Sequence, residues 1–128
     1  MVNQTNNLLK NLILSCRPKQ WTKNLLIFLA LFFSLNEAWK ISNPDELLLL
    51  LSKITISFLI FCFLSSSVYL INDSIDKDKD IFHPQKFKRP IASGHISIKT
   101  AIMTSIILFA ISLILAFFLN KTFGSILT

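Results

Sequence analysis

Two long apolar runs dominate what this chain can fold into. Leu47 to Ile71 is 25 residues interrupted by a single charge, Lys53, and Ala101 to Leu119 is 19 residues with none. As helices rising about 1.5 Å per residue they reach roughly 37 and 28 Å, against a hydrocarbon core of about 30 Å. Both are expected to cross a membrane. A shorter block, Leu25 to Leu35, is bracketed by Trp21 and Trp39, and aromatics commonly flank membrane segments at the interface. The expected first span runs from Thr22 to about Trp39, with a re-entrant or interfacial segment as the alternative. Only 16% of the residues are charged, where soluble domains run near a quarter. With 12 Phe and 2 Gly, the chain is neither collagen-like nor a linker nor disordered.

The basic residues set the expected orientation. Lys10, Arg17, Lys19 and Lys23 precede the first span, and Lys77, Lys79, Lys86, Lys88, Arg89 and Lys99 lie between the second and third. Only Lys40, Lys53 and Lys121 fall elsewhere. The positive-inside rule then puts the N-terminus and the long connection in the cytoplasm, which makes the chain an integral membrane protein of a bacterial inner membrane. Topology accounts for the net charge of +6, and no nucleic-acid partner is expected. Cys16 and Cys62 have neither disulfide nor metal spacing. Leu8, Leu9, Leu12 and Ile13 recur at helical spacing, as in a short surface helix. No small-residue cleavage site follows Leu35, so no secretory signal is expected.

The chemistry is concentrated in residues 72–99, NDSIDKDKDIFHPQKFKRPIASGHISIK. If the second span continues as a helix past Ile71, then at about 100° per residue Asn72, Asp76, Asp80 and Asp73 fall near 0°, 40°, 80° and 100°. Three carboxylates and an amide then share one face, and Asp78 points away. Clustered carboxylates repel unless a cation neutralises them, and hard oxygen ligands at a helix end suit Mg²⁺ shared with substrate phosphates. Lys86, Lys88 and Arg89 follow, able to take the remaining phosphate charge. A solvated loop in which Lys77 and Lys79 neutralise the aspartates is the plainer alternative. A calcium loop is excluded, because Ile81 stands where its glycine belongs and Phe87 where its glutamate belongs. His83, just before Pro84, reads as a turn residue.

At these residues the sequence resembles the UbiA superfamily of intramembrane prenyltransferases. Asn72, Asp73, Asp76 and Asp80 meet its first aspartate-rich motif, N-D-x-x-D-x-x-x-D, and Arg89 to Gly94 meet the downstream R-P-x-x-S/A-G element. One branch, the polyprenyl-phosphate phosphoribosyltransferases, is matched more closely: R-P-x-Q-W-x-K-N by Arg17 to Asn24, and H-P-x-K-x-x-R-P-I-A-x-G by His83 to Gly94. The resemblance implies an all-α, multi-span transmembrane bundle with a polar cavity open to the cytoplasm. It implies Mg²⁺ on Asp73, Asp76 and Asp80, supported by Asn72. Lys86 and Arg89 would lie on phosphate oxygens, and Lys19, Gln20, Lys23 and Asn24 at the cavity mouth. In this branch the diphosphate belongs to phosphoribosyl pyrophosphate, and a polyprenyl phosphate in the bilayer attacks the ribose. In the wider superfamily the same aspartates hold a prenyl diphosphate whose isoprenoid moves to an aromatic or lipid acceptor.

Members of the superfamily carry about nine spans and a second aspartate-rich motif, whereas here no acidic residue follows Asp80. The chain is therefore expected to be the N-terminal part of one such domain, residues 1–128. Either the reading frame is truncated, the favoured expectation, or a second chain supplies the rest. A non-catalytic membrane fragment is the alternative of another class.

Overall fold

The computed structural model of this chain describes residues 2–34 and 44–124, with side chains described from 7 to 34 and from 44 to 119. Among the described residues every regular element is helical. Helix α1 (Val2–Ser15) leads into a 3-10 helix (Pro18–Phe28) and a short α2 (Leu29–Phe33). A long α3 (Pro44–Ile75) is followed by α4 (Lys77–Ile81), a one-turn 3-10 segment (Lys86–Lys88) and a second long helix, α5 (Ile98–Gly124).

Helices α3 and α5 correspond to the two long apolar runs, each extended beyond it at both ends. Both are long and apolar enough to cross a membrane, and only 11% of the most apolar window of each is buried within the chain. They run antiparallel. Near one end the Ser67 hydroxyl donates to Ser105 Oγ at 2.8 Å, and Ser105 in turn donates to the Ser67 carbonyl at 3.0 Å. Toward the other end, Leu49, Lys53 and Ile56 of α3 line a cleft with Leu115, Phe118 and Leu119 of α5. Small hydroxyl residues let helix backbones approach and hydrogen-bond across an apolar interface. Elsewhere along these helices Ser57, Ser66, Ser74 and Ser112 donate to the carbonyl four residues back. No buried side-chain nitrogen or oxygen among the described residues lacks a partner, as a low-dielectric setting demands.

The first apolar block differs from expectation. Thr22 to Phe28 belongs to a 3-10 helix and only Leu29–Phe33 is α-helical, while Trp39 and Lys40 lie outside the described residues. The segment's pitch follows from what it packs on. Trp21, Asn24 and Phe28 meet Ser66, Cys62 and Phe58 of α3 in turn: Trp21 Nε1 to Ser66 Oγ at 3.1 Å, Asn24 Nδ2 to Cys62 Sγ at 3.5 Å, and the two Phe rings 5.7 Å apart. Three residues of a 3-10 helix rise about 6 Å, as do four residues of an α-helix. The tighter winding thus matches the step from Trp21 to Asn24 to the step from Ser66 to Cys62.

The connection from α4 to α5 folds back under the helix pair. Ile91 and Ile96 are fully buried with Leu70 of α3 and Ala101 of α5, and Leu12 of α1, Cys16 and Leu108 pack around them. A chain reversal between these isoleucines is closed by Gly94 N–H to the Ile91 carbonyl (3.2 Å) and Ile96 N–H to the Pro90 carbonyl (3.0 Å). Gly94 has φ 79°, a left-handed conformation open to glycine without Cβ strain. Helix α1 places Leu12 inward and leaves Leu9 and Ile13 exposed, so its leucines divide between packing and surface.

Two outcomes check this packing. Leu70→Ala should destabilise the chain by about 2–5 kcal/mol, as large-to-small changes at buried sites do, read as a lowered melting temperature in detergent. Burial pushes the Cys16 thiol above its ordinary range, against a smaller downward pull from Ser66. The thiol therefore stays protonated through neutral pH. Maleimide should label Cys16, identified by mass spectrometry, far more slowly than a free thiol, with the rate rising only above the usual thiol range.

Candidate active site

The site forms where α3 ends. Asp73 lies in its last turns, at the negative end of the helix dipole, and the final turn holds no basic residue, so cations must come from elsewhere in the chain. The helix breaks at Asp76 (φ −87°, ψ 6°) and resumes as α4, with Asp80 N–H bonded to the Asp76 carbonyl at 2.8 Å across the break. The turn brings Asp80 round beside Asp73. Both carboxylates are buried, at 4% and 2% of their residue surface.

Three basic side chains from two other segments neutralise this pair. One nitrogen of Arg89, Nη1, bridges the carboxylates, 3.0 Å from Asp73 Oδ1 and 2.7 Å from Asp80 Oδ2. Arg17 Nη2 lies 2.5 Å from the same Asp73 Oδ1, and Lys86 Nζ lies 3.7 Å from Asp80 Oδ1. Ionised donors on ionised acceptors make short, strong hydrogen bonds. Leaving either carboxylate buried without them would cost several kcal/mol, on the order of 3–5. The reversal at Ile91–Ile96 holds Arg89 in place, since Ser93 N–H bonds the Arg89 carbonyl at 2.9 Å just before Ile91 and Ile96 plug the core.

The other expected site residues are placed differently. Asn72 is exposed and Asp76 is half-exposed, with Lys79 Nζ 3.8 Å from its Oδ1. Within α3 Asp73 faces inward while Asn72, about 100° from it, faces out, and the break at Asp76 brings Asp80 to the inner side. The expected three-carboxylate face is thus corrected to a buried pair plus a surface carboxylate. Lys86 lies on Asp80, and Arg89 on both aspartates. Lys19 lines a shallow cleft with Leu14, Arg17, Pro18 and Gln20. Lys23 and Asn24 border another with Leu26, Ile27 and Phe61, and the Asn24 amide is turned to Cys62. His83 Nδ1 accepts the backbone N–H groups of Gln85 and Lys86 at 3.2 and 3.4 Å, the geometry of a turn residue.

A hard cation would find suitable donor chemistry in these carboxylates. The arrangement described does not fit one. Arg89 stands between Asp73 and Asp80, and among the described residues no group of three or more His, Cys, Asp or Glu is placed to hold a metal ion.

Arg17 is the site residue that sequence reasoning missed. Its charge was absorbed into the topology count, although a buried acid at a helix C-terminus requires a distant cation and Arg17 opens the RPKQWTKN segment. Its guanidinium carbon also sits 4.5 Å from the centroid of the Tyr69 ring.

The sequence profile of the UbiA prenyltransferase family matches residues 25–128. The chain is 33% identical over 121 residues to the decaprenyl-phosphate phosphoribosyltransferase of Mycolicibacterium smegmatis, covering 94% of this chain and 37% of that protein. It is 37% identical to the protein of the same name from Corynebacterium glutamicum, over 87% of this chain and 32% of the relative. The nodulation protein NoeC of Azorhizobium caulinodans is 31% identical over 76% of this chain and 29% of its own length. The chain therefore spans well under half the length of the relatives it matches. With its two apolar helices at the expected positions, it is a helical membrane protein and belongs to the UbiA prenyltransferase family.

Proposed function

We propose that residues 1–128 form the N-terminal part of a UbiA-like transmembrane domain and supply the first acidic element of an intramembrane transferase. The reaction moves 5-phosphoribose from phosphoribosyl pyrophosphate to a polyprenyl phosphate. A phosphate oxygen of the lipid forms a bond to the ribose C1 as the bond from C1 to the diphosphate oxygen breaks, and pyrophosphate leaves with the electron pair. The extent of the similarity carries this reading. An alignment of 121 of 128 residues to the Mycolicibacterium protein necessarily takes in Arg17–Asn24, Asn72–Asp80 and His83–Gly94.

In this reading Lys86 and Arg89 bind diphosphate oxygens, and Lys19, Lys23, Asn24 and Asn72 bind other parts of the substrates. A leaving diphosphate needs its developing charge stabilised, and preorganised cations in a water-poor site do this most effectively. Mg²⁺ is the cofactor the reaction calls for, and it would neutralise the diphosphate; Asp73, Asp76 and Asp80 are the carboxylates this segment would offer it, although with Arg89 set between Asp73 and Asp80 they do not form a metal site by themselves. The first span, from about Thr22, completes the set of three. The basic flanks support an orientation with the site on the cytoplasmic side, in a membrane read here as a bacterial inner membrane.

Membranes in which the chain is joined to the remainder of such a domain should transfer label from phosphoribosyl pyrophosphate to polyprenyl phosphate in the presence of Mg²⁺, and chelation should abolish the transfer. Transfer from a prenyl diphosphate instead would assign the chain to isoprenoid transfer. Asp76→Asn and Asp80→Asn should each lower the rate by about a hundredfold or more, comparable to removing one preorganised electrostatic group elsewhere. Full activity in both variants would remove the acidic element from the reaction.

A further inference from the structure

The joint between α1 and the 3-10 helix is built around a conformation that L residues rarely adopt. Arg17 has φ 52° and ψ 60° and is the one non-glycine residue with positive φ among those described. Such a residue persists only where its surroundings over-determine it. Here the surroundings are successive positions on one face of α3. The Ser66 hydroxyl lies 3.0 Å from the Cys16 carbonyl, the Tyr69 ring lies under the Arg17 guanidinium at 4.5 Å, and Asp73 takes its Nη2. Residues three and four apart share a helix face, so Ser66, Tyr69 and Asp73 act as one rail. Ring and carboxylate together fix both the position and the orientation of the guanidinium.

Arg17 is not consumed by these contacts. A guanidinium carries five N–H donors, and the ion pair with Asp73 uses one nitrogen, Nη2. The Arg17 side chain keeps 25% of its surface accessible and that of Arg89 keeps 28%, whereas the carboxylates they hold keep 5% and 3%. Arg17, Arg89 and Lys86 place three positive charges on the two negative charges of Asp73 and Asp80. Two oriented, partly accessible guanidinium groups thus converge on one carboxylate oxygen with charge to spare. That is the arrangement suited to a second, multiply charged oxyanion.

We propose that Arg17 is an anion-contacting residue of the site, forming with Arg89 a two-guanidinium fork for the diphosphate of the donor. The inference rests on the proposed diphosphate chemistry and adds to it a residue supplied by the N-terminal segment.

The test uses the full chain in lipid nanodiscs with Mg²⁺ present and inorganic pyrophosphate as the probe. Arg17→Gly removes the guanidinium while leaving a residue that accepts positive φ without strain, and Arg17→Lys keeps the charge without the fork. Arg17→Gly should weaken pyrophosphate binding by about tenfold to a hundredfold, the usual loss for a hydrogen bond to a charged group. Arg17→Lys should fall between, and added guanidinium ion should restore part of the binding to Arg17→Gly. Weakened binding with no such rescue would make Arg17 a structural residue and overturn the proposal. So would unchanged binding in Arg17→Gly, and if Arg89→Gln then lost affinity the diphosphate reading itself would survive. If the wild-type chain bound no pyrophosphate, both would fall.

Discussion

Asp73 is a buried carboxylate in the last turns of a helix, where the backbone's own partial charge is negative. Asp80 is brought beside it by the turn at Asp76. Burying two carboxylates together is costly unless cations pair with them, and the final turn of α3 supplies none. Much of the architecture around the site answers this demand. Arg89 reaches the pair because Ile91 and Ile96 are seated between α3 and α5. Arg17 reaches it because the Cys16–Arg17 joint is pinned along Ser66, Tyr69 and Asp73. Packing and electrostatics therefore specify one another: the apolar plug aims one guanidinium, and the strained joint aims the other.

The apolar part of the fold follows a simpler rule. Two helices that bury so little of their surface in the chain must satisfy their polar groups internally. The serines do this, by bonding to their own helix or, at Ser67 and Ser105, to the neighbouring one. The 3-10 helix applies the same principle to the shorter block, turning the Trp21 indole N–H to Ser66 and the Asn24 amide to Cys62 of α3.

The two long spans were legible because a run of apolar residues of that length has few other homes. The acidic face was legible in part. Helical geometry placed Asp73 and Asp80 together, but periodicity alone carries no information about which part of a 100° arc turns inward, and Asn72 and Asp76 lie on its outer side. The basic residues were legible by type, but a sequence shows that Lys86 and Arg89 are near the acids without showing that they contact them. Arg17 and Tyr69 were missed as site residues because their contact with Asp73 depends on how the N-terminal joint docks, which no local pattern encodes. The 3-10 helix was missed for a similar reason: its winding is set by Ser66, Cys62 and Phe58 rather than by its own residues.

Arg89 bridges two buried carboxylates and so ties the connection between α4 and α5 to the end of α3. A double-mutant cycle on Asp80 and Arg89 tests it most directly, with thermal unfolding of the full chain in detergent as the readout. Arg89→Gln and Asp80→Asn should each destabilise the chain, and the double variant should lose clearly less than the sum, because each single change strands the partner's charge. Losses that simply add would mean the two side chains do not interact, and would contradict the account.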